Sequence, residues 1–205
     1  MIKDLDIGKD LSKKELVAVM EVIESARGCN DERDVQNLVM RVKDMLDADY
    51  CICGLGKILG NDIVEPSAII NGNYPEEWMD IYKRERLYTR DPVVKFHSRF
   101  VMTQLWSDAF KLYNDKETIK FLNSASDFGL KNGIASGVYD PALERASLFS
   151  FAGNRQRFSQ HHKKVMDIII PHLHNAIAGV CESEKHVNMD SIPDVIGGSQ
   201  IIRYI

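Results

Sequence analysis

The sequence predicts an α/β protein of the α+β kind, an α-β-α sandwich in which a roughly five-stranded antiparallel sheet is flanked by helices. Three observations carry this. Helical periodicity occupies both ends of the chain, from residue 12 to 46 and again from residue 159 to 182. Short apolar runs bounded by turn residues fill two stretches between them. The runs of each stretch are joined by tight connections, Gly60-Asn61-Asp62 and Asp140-Pro141, which suit antiparallel hairpins rather than parallel crossovers. The element order is ααββα(β)αββα.

Each element has a local reason. Ser12 followed by Glu15 reads as a capping box, and Leu16, Val19, Met20 and Ile23 then recur at helical spacing until Gly28. Asn30 or Asp31 caps a second helix, whose apolar stripe is Val35, Leu38, Val39, Val42, Met45 and Leu46. Residues 50–55 and 63–70 read as strands; Pro66 inside the second marks an edge, a bulge or a strand start. Pro75, with Glu76 and Glu77 behind it, opens a third helix to about residue 86. Asp91-Pro92 is expected to close that segment, because the residue before proline is pushed away from helical angles. A short strand is expected over 101–104. Asn114 or Asp115 caps a helix carrying Phe121, Leu122 and Phe128, stopped by Gly129. Residues 134–139 and 146–152 form the second strand pair. Ser159 caps a long final helix with Val165, Ile168, Ile169, Leu173, Ile177 and Val180, and Pro171 is expected to kink it. The domain is expected to span 1–182. Residues 183–205, with Pro193 and Gly197-Gly198, are expected to be a linker or tail.

Composition excludes several function classes. The 205 residues carry 26 Lys+Arg against 30 Asp+Glu, a net charge of −4. That balance makes a poor stand-alone nucleic-acid binder. No apolar run approaches the roughly 18 residues of a membrane span. The charged start, Met1-Ile2-Lys3-Asp4, lacks a signal-peptide apolar region, so a cytoplasmic location is expected. Four cysteines, Cys29, Cys51, Cys53 and Cys181, are too few and scattered for a disulfide scaffold. Cys51 and Cys53, two apart on a strand, share a face and read as small buried hydrophobes.

Three motif-like stretches fail on inspection. Gly54-Leu55-Gly56 with Gly60 misses the third glycine of a dinucleotide fingerprint, where Leu59 stands. Gly133-Ile134-Ala135-Ser136-Gly137 has its serine one place late for a nucleophile elbow and in mid-strand. His172 and His174, two apart on a helix, face different sides and cannot chelate together, and neither they nor His161-His162 have a cysteine or acid at zinc spacing. No nucleophile–base pair and no metal set is visible, so no catalysis and no cofactor are expected.

One constellation survives. Tyr74, Trp78, Tyr82, Tyr88, Asp91 and Trp106 concentrate in a short stretch. On a helix starting near Pro75, Trp78 and Tyr82 lie four apart and share a face. An acid acceptor, an indole donor and tyrosine hydroxyls beside an apolar sheet suit a neutral ligand with amide and carbonyl groups and an apolar tail. A core aromatic cluster with a capping aspartate is the competing reading.

Tyr74-Pro75-x-x-Trp78-x-x-x-Tyr82, then Asp91-Pro92-Val93-Val94, then Trp106, resembles the autoinducer-binding domain of LuxR-type quorum-sensing regulators. The stretch from Ala125 through Asp127-Phe128-Gly129 to Gly133 is similar to that family's stretch before its fourth strand, and Ala146-Ser147-Leu148-Phe149-Ser150-Phe151 resembles the strand that follows. The resemblance covers residues 12–182. It implies the same sandwich and an N-acyl homoserine lactone as ligand. It implies that Trp78 donates to the lactone carbonyl, Asp91 accepts from the ligand amide, and Tyr74 and Ser150 bond the acyl carbonyl. Tyr82, Tyr88 and Trp106 would wall the pocket, and Gly133 would let the chain pass closely. Leu55, Ile70, Ile134 and Phe149 are the guessed determinants of pocket depth. The resemblance also implies a homodimer that reaches DNA only through a C-terminal helix-turn-helix domain, for which residues 183–205 are too short. Two forms of such a chain are expected. One is the ligand-binding domain of a longer regulator, the form favoured here. The other is a DNA-binding-deficient relative that pairs with a full-length regulator without ligand.

Overall fold

The capping box sets the start of the first helix. In the computed structural model, which describes residues 11–59, 62–154 and 158–190, the Glu15 N–H donates to Ser12 Oγ at 3.3 Å and the Ser12 N–H donates to Glu15 Oε2 at 2.8 Å. Helix α1 (Lys13–Arg27) ends at Gly28. Asp31 caps α2 (Glu32–Met45), accepting from the Asp34 N–H at 2.8 Å. Helix α2 buries Val35, Leu38, Val39 and Val42, as its spacing predicts. Helix α1 does not follow its predicted stripe. It buries Val19, Val22 and Ala26, while Leu16 and Met20 are exposed. Apolar residues surround much of this helix, so periodicity offers two adjacent stripes, and the partner helix chooses between them.

Strands β1 (Tyr50–Leu59) and β2 (Asp62–Asn71) form the expected antiparallel hairpin. The Gly60-Asn61 tip lies outside the described residues. Pro66 is both at an edge and at a bulge. The register steps from Leu55↔Ala68 to Gly56↔Pro66, and β2 is an outer strand. Helix α3 (Glu76–Arg84) is followed by a left-handed Arg86 at φ 51° and a single 3₁₀ turn, Leu87–Thr89.

Asp91-Pro92 opens a helix as well as closing the segment before it, which corrects the expectation. Asp91 is extended, as a residue before proline must be, and its Oδ1 accepts from Val93 N–H at 2.8 Å and Val94 N–H at 3.4 Å. Proline costs nothing at the first helical position, where its missing N–H has no partner to lose. Helix α4 (Pro92–Phe100) results. The strand expected over 101–104 reduces to β3 (Gln104–Leu105), and α5 (Trp106–Leu112) follows at once. Asp115 caps α6 (Lys116–Asp127), and Gly129 takes up the left-handed φ of 81° that stops it. The run over 134–139 divides into β4 (Asn132–Ser136) and β5 (Tyr139–Asp140), both paired to β6 (Arg145–Gly153). Helix α7 (Gln160–Asp190) carries Pro171 on its exposed side and runs on past Glu182 to Asp190. Residues 191–205, the rest of the expected tail, lie outside the described residues.

The six strands form one antiparallel sheet in the order β2-β1-β6-β4-β3, with β5 on β6. Strand alternation divides its side chains between two cores. Ile134, Phe149 and Phe151 join Val35, Val39, Ile169 and Leu173 on the face covered by α1, α2 and α7. Ala135, Leu148 and Ala152 join Trp78, Trp106 and Phe121 on the face covered by α3 to α6. Phe149 and Phe151 are fully buried, each contributing about 1.5–3 kcal/mol of apolar burial. Cys51 and Cys53 sit in the first core as expected, and burial pushes the Cys51 thiol up to about 12. This is the expected α-β-α sandwich, with six strands where roughly five were expected.

Candidate functional site

Between the sheet and the four central helices lies a cavity of about 130 Å³. Its walls are mostly apolar, and a few polar groups converge on it. Seven of the eight residues singled out in the sequence line it: Tyr74, Trp78, Tyr82, Tyr88, Asp91, Trp106 and Ser150.

Local structure holds each of them. Tyr74 is clamped by Asn71, whose Nδ2 donates to the Tyr74 carbonyl at 3.0 Å and whose Oδ1 accepts from the Tyr74 N–H at 2.8 Å. Trp78 and Tyr82 share a face of α3, as their spacing requires. Trp78 packs at 5.7 Å from Phe121, 5.4 Å from Phe128 and 5.9 Å from Tyr82, between ring centroids. The residue is 2% exposed, and it lines the cavity. Trp106 opens α5, and its Nε1–H donates to Ser150 Oγ at 3.2 Å across the cavity floor. Burial pushes the Tyr74 phenol pKa well up, against the opposing effect of the nearby Ser150 hydroxyl. Tyr88 takes a hydrogen bond from Arg86 Nε at 2.8 Å.

Gly133 is the eighth residue, and it lies behind the wall rather than on it. A Cβ there would come within 2.3 Å of Trp106 Cε2, so the bare glycine lets the indole lie flat against β4. The four expected pocket-depth residues all belong to the opposite core; of them Leu55, beside the bulge in β1, also lines the cavity. The role expected of Ile70, Ile134 and Phe149 is therefore corrected; Ile52, Ile69 and Leu148, on the other face of the sheet, do the lining.

Asp91 concentrates the electrostatics. The Tyr82 hydroxyl donates to its Oδ2 at 3.0 Å. Burial raises its pKa from 3.8 to about 6, against the opposing effect of the Val93 N–H and the Tyr82 hydroxyl. The sign of the linkage follows. Between pH 4 and about 6 the unfolded chain loses this proton while the folded protein keeps it, so stability falls as pH rises through that window. The Asp91→Asn variant should lack this slope. Urea unfolding of both proteins across the window should show the stability difference moving toward the variant by on the order of 1–3 kcal/mol; parallel curves would contradict a buried carboxylate.

Two of the histidines singled out in the sequence have structural partners across the fold. His161 Nε2 lies 2.6 Å from Glu15 Oε1, tying α7 to α1. His174 Nδ1 lies 2.9 Å from Ser147 Oγ. Among the described residues no three His, Cys, Asp or Glu side chains could hold a metal ion together. Likewise, no described helix is long and apolar enough to cross a membrane. Sequence reasoning missed the contribution of α4 and α5, including Val93, His97 and Phe110, and of Leu130 just beyond α6. The Asp-Pro pair that hid α4 is itself the signal that finds it.

Several known proteins are similar to this chain. The chain is 24% identical over 139 residues to transcriptional activator protein LuxR of Aliivibrio fischeri, covering 68% of this chain and 54% of the relative. It is 24% identical over 161 residues to transcriptional activator protein EchR of Dickeya chrysanthemi, covering 75% and 62%. The chain thus spans less than two thirds of these relatives, which are named as transcriptional activators rather than enzymes. Among solved structures, Escherichia coli SdiA superposes with a TM-score of 0.63 at 18% identity, covering 79% of this chain and 67% of that one. The N-acylhomoserine lactone dependent LuxR family factor CepR2 of Burkholderia cenocepacia superposes with a TM-score of 0.57 at 17% identity, covering 88% and 99%. These two share the fold. Residues 31–177 match the family model of the autoinducer binding domain, and by that match, over most of its length, the chain belongs to the autoinducer-binding domain family.

Proposed function

We propose that this domain senses an N-acyl homoserine lactone and passes the signal to a LuxR-type transcription regulator of which it is the ligand-binding part. One observation carries the reading: the buried indole of Trp78 and the carboxylate of Asp91, whose pKa burial raises, line one otherwise apolar cavity. Such a pair asks for a ligand with one acceptor and one donor, a lactone carbonyl and an amide N–H. Trp78 donates to the lactone carbonyl and Asp91 accepts from the amide. Tyr74 and Ser150 bond the acyl carbonyl, with Tyr82, Tyr88 and Trp106 as walls. The acyl tail lies along Ile52, Ile69 and Leu148, where apolar contact suits it. SdiA, similar in fold, has also been solved in complex with octanoyl-rac-glycerol, a ligand with an eight-carbon acyl chain, which supports an acyl tail in this type of cavity. The domain acts in the cytoplasm as a homodimer, and DNA is reached through a separate C-terminal domain of the regulator.

The test is thermal unfolding against lactones of graded chain length. Ligand at a hundred times its Kd stabilises by about 2.7 kcal/mol, which in a chain of this size raises Tm by roughly 5–10 °C. No shift with any lactone, together with no co-purified ligand in native mass spectrometry, would sink the reading. Co-purification with a full-length regulator in the absence of lactone would favour a ligand-independent pairing protein instead.

A further inference from the structure

The cavity holds one more polar group, which lies outside the set that the sequence singled out. His97 on α4 is fully buried and lines the cavity. Its Nε2 lies 2.8 Å from the Ser147 carbonyl oxygen. A carbonyl can only accept, so Nε2 carries the proton. The contact is held by backbone. A Cβ on Gly137 would come within 2.9 Å of His97 Nε2 and 1.8 Å of the Ser147 oxygen, so the bare glycine keeps β6 and the imidazole close. Burial lowers the His97 pKa to about 4, so at neutral pH the ring is uncharged and Nδ1 presents a lone pair. That Nδ1 is buried without a hydrogen-bond partner among the described residues. Gln104 Oε1 is likewise buried and unpartnered, but Gln104 does not line the cavity.

We propose that His97 Nδ1 accepts a hydrogen bond from a hydroxyl on the ligand's acyl chain, so that the domain selects a 3-hydroxyacyl lactone over its 3-oxo and unsubstituted counterparts. The proposal rests on the lactone reading above and specifies its tail. The chemistry is one-sided. A hydroxyl can donate to a lone pair. A 3-oxo group can only accept, so it would set two acceptors against each other. An unsubstituted methylene would leave Nδ1 unpaired. Asp91 caps α4 and His97 stands six positions further on in the same helix, and both line the one cavity. A site that hydrogen-bonds a substituent rejects the analogue lacking it far better than an apolar wall distinguishes chain lengths.

The experiment is calorimetric titration of the protein with three lactones of one chain length: unsubstituted, 3-hydroxy and 3-oxo. The 3-hydroxy form should bind at least about tenfold more tightly than either other, and His97→Leu should reduce the preference to below about threefold. Should that variant fail to fold, the wild-type ring itself gives the answer. The ¹⁵N resonance of His97 Nδ1 should move on saturation with the 3-hydroxy ligand and stay in place with the unsubstituted one. Equal affinities for the three ligands, or an unmoved Nδ1 resonance, overturn the role of His97 while leaving the lactone reading intact. Absence of binding by all three overturns both.

Discussion

Asp91→Asn is expected to weaken lactone binding at least tenfold, about 1.5–3 kcal/mol, without unfolding the domain. Two jobs of this residue separate in the variant. As cap of α4 it accepts from the Val93 and Val94 N–H groups at 2.8 and 3.4 Å, and asparagine caps helices about as well as aspartate. As the negative wall of the cavity it has no substitute, because an amide oxygen is a neutral acceptor and the amide NH₂ opposes a ligand N–H. A charge-assisted bond in a low-dielectric cavity is roughly twice as strong as its neutral counterpart. The raised pKa of about 6 still leaves Asp91 mostly ionised at pH 7.5, where the comparison is made. Isothermal titration gives the affinity, and far-UV circular dichroism checks the fold. An unchanged Kd would remove Asp91 from the ligand's contacts.

Gly137→Ala is expected to cost about 3 kcal/mol or more, the upper part of the range for overpacking a core. The added Cβ would lie 1.8 Å from the Ser147 oxygen and 2.7 Å from its carbonyl carbon. Both are backbone atoms, and neither can turn aside. Gly137 sits in the gap between β4 and β5. There the Ser147 N–H donates to the Val138 carbonyl at 2.9 Å and the Val138 N–H donates to Ser147 Oγ at 3.1 Å. Relief of the clash would have to part these strands. Gly133 makes the contrast, because a Cβ there meets the Trp106 ring, a side chain that can rotate at the expense of its bond to Ser150. Urea unfolding measures the cost; a loss below about 1 kcal/mol would mean that the sheet yields at this gap.

Local signals were legible where they were self-contained. The capping box of Ser12 and Glu15, the Asp115 cap and the Gly129 stop all stand where the residues put them, because each is satisfied within a few positions of chain. The Trp78–Tyr82 face was legible for the same reason. Legibility failed where one local signal had two meanings. Asp91-Pro92 ends one segment and starts the next with the same backbone angles, so the second helix was hidden behind the first reading, and His97 with it. It failed again in α1, where the apolar residues exceed what one face can bury.

The sequence by itself determined the sandwich, its element order and the stretch of aromatics and acid that forms the cavity wall, since periodicity, caps and turn residues act over short distances. Only the tertiary structure decided which face each strand residue serves. Ser150 meets the cavity while Phe149 and Phe151 turn away, and Ile69 lines it while Ile70 does not. Alternation in a strand buried on both faces leaves no polar side to mark its direction, so the assignment waits for the helices that cover each face. The same packing leaves His97 Nδ1, a buried acceptor, without a partner among the described residues. No spacing in the chain expresses that, because it depends on what all the other polar groups found.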